Sequence, residues 1–247
     1  STPSKSHHSS HSSCPHYHNH HCSLCGWSND NDNDVEDTIL FFYVISSPFW
    51  GPNAAVESDL KNPTYLTYPY QDGNIGYVED NPDGSEHAFS FTLEGGAAPY
   101  GYNQSAELRA TIFKRLELQL SSKRLIEPTQ LYYFDTLHLL EPRLNIVFAM
   151  GKRALFRTGL GLNILTDPQS DPVYGYGYHY DMYFFPLRPL VLSVRLGAGI
   201  LGTAFTWQTR FTAGVSLANL ELFGGYDFHY IGEQEIGGPI VGARLWF

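Results

Sequence analysis

Residues 105–121, SAELRATIFKRLELQLS, carry two faces that do not mix. Leu108, Ala110 and Ile112 alternate with Glu107, Arg109 and Thr111; beyond Lys114 and Arg115, Leu116, Leu118 and Leu120 alternate with Glu117, Gln119 and Ser121. In a strand successive side chains point to opposite sides, so a period of two sustained over these runs predicts two strands, each with one apolar and one polar face. The two-residue link makes them neighbours in an antiparallel hairpin.

The same division continues through ten runs between Ala88 and Phe247, near 88–96, 105–113, 116–121, 143–148, 156–163, 173–185, 190–198, 205–215, 220–229 and 241–247. The run 173–185 is the least regular, because its Tyr-Gly repeat also reads as a loop. Across all ten, the apolar face carries no charge. The other face collects Glu94, Glu107, Glu117, Asp181, Glu221 and Asp227 against Arg109, Arg143, Arg157, Arg195, Arg210 and Arg244, and no Lys falls on the faces of these runs. A soluble sandwich also alternates, but turns its charges to water and uses Lys freely. Arginine suits fixed, fork-like carboxylate pairs in confined space. The charged face is therefore expected to line a crowded lumen and the apolar face to meet lipid, which is the pattern of an all-β, transmembrane, antiparallel up-and-down β-barrel of about ten strands, eight being the lower bound.

The links support that orientation. Lys114–Arg115, Gly151–Arg153, Pro186–Pro189 and the Ala218–Asn219 neighbourhood are short, whereas 125–136, 165–172 and 232–237 are longer, with the link near Gly202 shorter than the others of its class. Short turns at one end and longer loops at the other are usual in outer-membrane barrels, and an even strand number leaves both termini in the periplasm.

Composition sets the outer limits. The 247 residues are 43% hydrophobic, 15% aromatic and only 16% charged, with 15 Lys plus Arg against 25 Asp plus Glu and a net charge of -10. That balance argues against a nucleic-acid partner. No stretch approaches the roughly 20 apolar residues of a membrane-spanning helix. Mean hydropathy, at -0.24, is blind to a barrel that hides its membrane face in every second residue.

Three segments follow. Residues 1–37 hold seven of the 11 His, all three Cys and the run NDNDNDVED, and cannot build a core unaided. Residues 38–87 start with TILFFYVI, expected to be a strand, and continue irregularly in the periplasm, punctuated by Pro, Gly and Asn. Residues 88–247 form the barrel.

The final residues IVGARLWF, with Gly242, Leu245 and Phe247, resemble the C-terminal strand that the barrel-assembly machinery recognises in bacterial outer-membrane proteins, although Ile240 stands where that family prefers a polar residue. Ser47–Pro52, SPFWGP, is similar to secreted sequences of planctomycete type. The first resemblance implies outer-membrane lipid and the assembly machinery as partners. It also implies a secretory signal peptide already removed, with Ser1 as the first mature residue.

Two places would carry chemistry. Asp227 and His229 stand two apart on one face, like half of the site of the omptin proteases, but no Asp-x-Asp pair accompanies them to position a water. The competing reading has Asp227 paired with a lumen Arg and His229 within a hydrogen-bond network. The second place is the N-terminal tract, where Cys14, His16, His18, His20, His21, Cys22 and Cys25 fall within twelve positions. The two-residue gap of Cys22–Cys25 lets both sulfurs reach one ion, Zn or Cu, while an oxidising envelope would favour a disulfide instead. Tyr174–Tyr183, Trp207 and Trp246 read as interface girdles and packing.

The resulting expectation is a non-enzymatic outer-membrane barrel with a narrow, charge-filled lumen, a structural or anchoring part of a bacterial cell envelope. Gln119, Asn145, Gln208 and Trp246 are expected to help fill its bore. The alternatives are a secreted metal-binding or filament-forming surface protein with a soluble β domain, and a small-solute channel or omptin-like rim protease.

Overall fold

The computed structural model describes residues 52, 56, 60–99, 101–128, 134–168 and 170–247. The predicted strand at 38–46 and the His/Cys tract lie outside them.

Two short strands, β1 (Pro63–Tyr65) and β2 (Val78–Asp80), pair antiparallel and precede the barrel. The barrel strands are β3 (Ala88–Ala98), β4 (Gly101–Phe113), β5 (Leu116–Pro128), β6 (Phe134–Met150), β7 (Ala154–Thr166), β8 (Val173–Leu187), β9 (Leu190–Leu201), β10 (Ala204–Leu217), β11 (Leu220–Ile231) and β13 (Gly238–Trp246), with β12 (Gln234–Glu235) a short rim piece folded on β11. Each strand pairs with its sequence neighbours, β11 pairs with β13, and β13 pairs with β3, so the ten strands close antiparallel and up-and-down. Closure leaves no unpaired edge along the main wall. The Tyr-Gly run is a full strand, β8, in register with β7 from Ala154↔Phe184 to Leu165↔Val173.

The alternation sorts as the chemistry requires. Outward side chains include Leu160 and Val241, both 68% exposed, whereas the lumen-facing Arg and carboxylate groups are buried. Two strands run further than their periodic stretches indicate. β5 continues past Ser121 to Pro128, and β6 begins before Arg143, at Phe134. This lengthening brings Lys123 and Glu141 into the lumen, which corrects the expectation that no Lys lies on the strand faces. The Pro186–Pro189 link is likewise tighter, because β8 reaches Leu187 before the turn.

At the short-turn end, residues 60–85 close the bore. Tyr65, Leu66, Tyr70, Tyr77 and Val78 join Val147, Met150, Leu155, Tyr183, Phe185 and Trp246 in one apolar cluster. The segment is also tied to the turns themselves. The Tyr65 hydroxyl donates to the Lys114 carbonyl at 3.1 Å, and the Tyr70 hydroxyl donates to Leu187 at 3.2 Å and to the Leu190 carbonyl. Gly76, at φ +95, presses against the Lys152 carbonyl, where a Cβ would collide. Irregular sequence thus builds a specific plug, because its aromatic groups find partners only once the barrel has closed. Tyr183 and Trp246 belong to this packing inside the bore, while Tyr174, Tyr176 and Trp207 face outward.

Candidate functional site: the charged lumen

Above the plug, the lumen is lined by ion pairs, and six of the residues form one linked cluster. Arg109 bridges Glu107 at 2.9 Å, Glu117 at 3.5 Å and Asp181 at 3.2 Å. Arg195 clamps the same two acids, Glu107 at 2.8 Å and Asp181 at 2.9 Å. Arg157 meets Glu117 at 3.0 Å, and Arg244 meets Glu221 at 3.0 Å. Arg210 holds Glu94 through both guanidinium nitrogens, one of them at 2.8 Å. These pairs use all twelve charged residues read from the sequence except Arg143 and Asp227, whose partners are the two residues it missed. Arg143 pairs with Glu141 and Lys123 with Asp227, each at 2.8 Å. Among the described residues the lumen network therefore holds seven acids, the six above plus Glu141, and seven bases, the six arginines plus Lys123.

That balance matters because charges shut away from water are tolerated only when paired and hydrogen-bonded. Neutral amides extend the network: Gln119 donates to Glu107 at 2.8 Å, Asn145 to Glu117 at 3.1 Å and to Gln119 at 2.9 Å, and Gln208 to Asp227 at 2.9 Å. The network rests on aromatic rings at the top of the plug. The guanidinium carbons of Arg157, Arg244 and Arg109 lie 4.8, 5.3 and 5.5 Å from the Tyr183 ring centroid, within cation–π range. Trp246 donates from Nε1 to Glu221 at 3.1 Å. Two voids in the charged bore have volumes of about 10 Å³ each, room for about one water apiece.

Toward the long-loop end the character changes. His179, Asn163, Asn103 and His229 are buried, and both His179 ring nitrogens, His229 Nδ1 and both Asn103 side-chain polar atoms make no hydrogen bond among the described residues. Lumen-facing glycines let these large groups lie flat. A Cβ on Gly197 would stand 2.8 Å from His179 Nδ1, and one on Gly177 would stand 3.2 Å from His179 Nε2.

Asp227 and His229 do share the lumen face of β11, but the Asp227 carboxylate is held by Lys123 and Gln208. The expected arginine partner of Asp227 is replaced by Lys123, because β5 reaches further up the wall than its periodic run. Lys123 and Glu141 were both detectable in principle. Carrying the parity of Glu117, Gln119 and Ser121 two positions on gives Lys123, and carrying that of Asn145 and Arg143 two positions back gives Glu141.

In the C-terminal strand, Gly242 faces inward under the Phe223 ring, whose Cζ would stand 2.5 Å from an added Cβ. Leu245 and Phe247 face outward, 39% and 53% exposed. The Phe247 backbone exchanges hydrogen bonds with Phe89 at 2.8 and 3.0 Å, which knits the chain end to the first barrel strand. No metal-holding group of three or more His, Cys, Asp or Glu occurs among the described residues, and the seven residues of the N-terminal tract lie outside them. Neither protein-family models nor curated proteins provide a match to this chain.

Proposed function

We propose that this chain is an outer-membrane β-barrel of a bacterial cell envelope, serving as a structural or anchoring component rather than a conduit. The observation that carries the reading is the contrast across the wall. Outward side chains such as Leu160, Leu162, Tyr174, Phe205 and Val241 are 58 to 68% exposed, in a belt far larger than the scattered apolar residues of a water-soluble surface. Inward, seven acids face seven bases in a nearly filled bore. A lipid bilayer satisfies the first condition, and the second leaves no aqueous channel for bulk solute.

In this reading the short-turn end, with the plug and both ends of the barrel segment, faces the periplasm. The C-terminal strand with Gly242, Leu245 and Phe247 is the signal to the barrel-assembly machinery. The N-terminal tract is read as periplasmic, and its thiolates and imidazoles would take Zn or Cu; that part is tested by zinc stoichiometry before and after Cys14, Cys22 and Cys25 are changed to Ser. Electrophoresis of detergent-extracted protein with and without boiling tests the barrel itself. Faster migration of the unboiled sample supports the reading, and identical migration with extraction into plain buffer overturns it in favour of a soluble surface protein.

A further inference from the structure

Outside the lumen network, the barrel sorts its remaining charges by end. The short-turn end of residues 88–247 carries Lys114, Arg115, Lys152, Arg153 and Arg188, and those turns contain no acid. The long-loop end carries the opposite set, Glu127, Asp135, Asp167, Asp171, Glu233 and Glu235, with Arg124 on the upper part of β5 as the one base among them. Together with the seven acids and seven bases of the lumen, these are all the charged side chains of residues 88–247. A barrel that balances acid against base inside its bore thus carries opposite excesses at its two ends.

The bases lie in three consecutive short turns, β4–β5, β6–β7 and β8–β9, and so form an arc across six of the ten wall strands. Arg115, Lys152, Arg153 and Arg188 are exposed, and Lys114 is half-buried. Every lumen base has a carboxylate partner, whereas among the described residues the arc makes one ion pair, Lys114 with Glu86 at 3.9 Å. Arg115 donates from Nη1 to the Phe148 carbonyl at 3.3 Å, and the side chains of Lys152, Arg153 and Arg188 make no hydrogen bond among the described residues.

The plug segment brings acids to the same end, but three of the five are engaged. Asp80 accepts from the Asn62 backbone N–H at 2.8 Å, Glu79 accepts from the side-chain amides of Asn74 and Asn81 at 3.4 and 3.3 Å, and Glu86 is the partner of Lys114; Asp72 and Asp83 are exposed. These acids belong to the segment that stops the bore. The bases stand instead in turns that join wall strands, and two of those turns directly follow the exposed apolar residues Phe113 and Leu187. On a wall that meets lipid, this is the level at which hydrocarbon gives way to headgroups. An arc of separate cations beside apolar side chains matches a layer of many small anions better than one acidic protein.

We propose that the arc of Lys114, Arg115, Lys152, Arg153 and Arg188 docks the headgroups of anionic phospholipids at the short-turn end. The headgroup phosphate accepts charge-assisted hydrogen bonds from the guanidinium and ammonium groups, and the acyl chains lie along the outward apolar residues beside the turns. Each base close to an anionic lipid surface contributes about fivefold in affinity. The acids of the long-loop end supply no such attraction. The assignment rests on the reading of the outward face as lipid-exposed.

The test is equilibrium binding of phosphatidylglycerol and of phosphatidylcholine, with the same acyl chains, to the full chain in non-ionic detergent micelles, alongside migration before and after boiling. Wild-type protein is expected to bind phosphatidylglycerol at least about tenfold more tightly than phosphatidylcholine at low salt, and to lose most of that preference at about 1 M salt. Changing Arg115, Lys152, Arg153 and Arg188 together to Gln breaks no ion pair and no lumen contact, and is expected to erase the preference, whereas Arg124→Gln at the other end keeps it. Equal affinity for the two lipids in the wild type, or a preference that survives the fourfold change, overturns the docking surface while heat-modifiable migration still upholds the barrel in its membrane. Poly-glutamate bound by the wild type and not by the fourfold variant, with no preference between the lipids, overturns it in favour of an acidic protein partner. Identical migration with and without boiling, together with solubility in plain buffer, overturns the membrane reading and the docking surface with it.

Discussion

Replacing Lys123 by Met removes the charge that holds Asp227 inside the barrel. The ammonium lies 2.8 Å from Asp227 Oδ2, with side-chain exposures of 7% and 2%, and the other carboxylate oxygen accepts from Gln208 at 2.9 Å. Losing one half of a buried pair costs about 3–5 kcal/mol because the remaining charge stays desolvated, whereas exchanging both halves for apolar groups is close to neutral. Lys123→Met and Asp227→Leu are each expected to lower the unfolding free energy by that amount, and the double variant by less than either single one. Independent effects would instead sum to roughly 6–10 kcal/mol, so the cycle separates the two outcomes by several kcal/mol. The assay is reversible urea unfolding in micelles, followed by tryptophan fluorescence. Additive losses, or single losses below about 1 kcal/mol as for solvent-exposed pairs, would refute the buried pair and the closed lumen built on it.

Leu160, 68% exposed at the middle of β7, is expected to tolerate Arg at no more than about 0.5 kcal/mol if it faces water, but to cost about 2–4 kcal/mol if it faces the bilayer midplane, as read by urea unfolding from phospholipid vesicles. Burial raises the phenol pKa of Tyr65 and Tyr77 above the usual 10.0 and pushes that of Tyr70 up to about 12. A raised folded-state pKa favours the neutral phenol in the docked plug, so this contribution is whole below pH 10.0 and is lost as pH rises through about 12. Protease cleavage within residues 60–85, tracked with tyrosinate absorbance, should rise only in that alkaline window; release between pH 5 and 8 would contradict it. Gly76→Ala places a Cβ against the Lys152 carbonyl at a φ of +95, and is expected to cost the plug more than about 1 kcal/mol. It should appear as cleavage of residues 60–85 at neutral pH while heat-modifiable migration persists.

The wall was legible because a strand repeats every two residues, so Glu107, Arg109 and their counterparts sort to one side without any knowledge of the partner strands. The periodic runs end at Ser121 and resume at Arg143, with Ser122 and Pro142, both poor strand formers, at those limits, so Lys123 and Glu141 fall outside them. The plug was not legible at all. Tyr65, Tyr70 and Tyr77 have no periodicity, and what buries them is the closed end of a barrel whose strands lie far away in sequence. The gap in the β6–β7 pairing at Glu141 and Pro142 needed the register as well, since a proline in a sequence does not announce which neighbour it fails to bond.

Trp207 and Trp246 offer the most direct check, because the first stands 47% exposed on the outward face of β10 and the second is 2% exposed inside the bore. With Trp27 and Trp50 changed to Phe and each remaining tryptophan kept in turn, the barrel is reconstituted into vesicles whose acyl chains carry bromine. Strong quenching of Trp207 by the brominated chains, little quenching of Trp246, and protection of both from iodide in the water are expected. Trp207 quenched by iodide but untouched by bromine would contradict it.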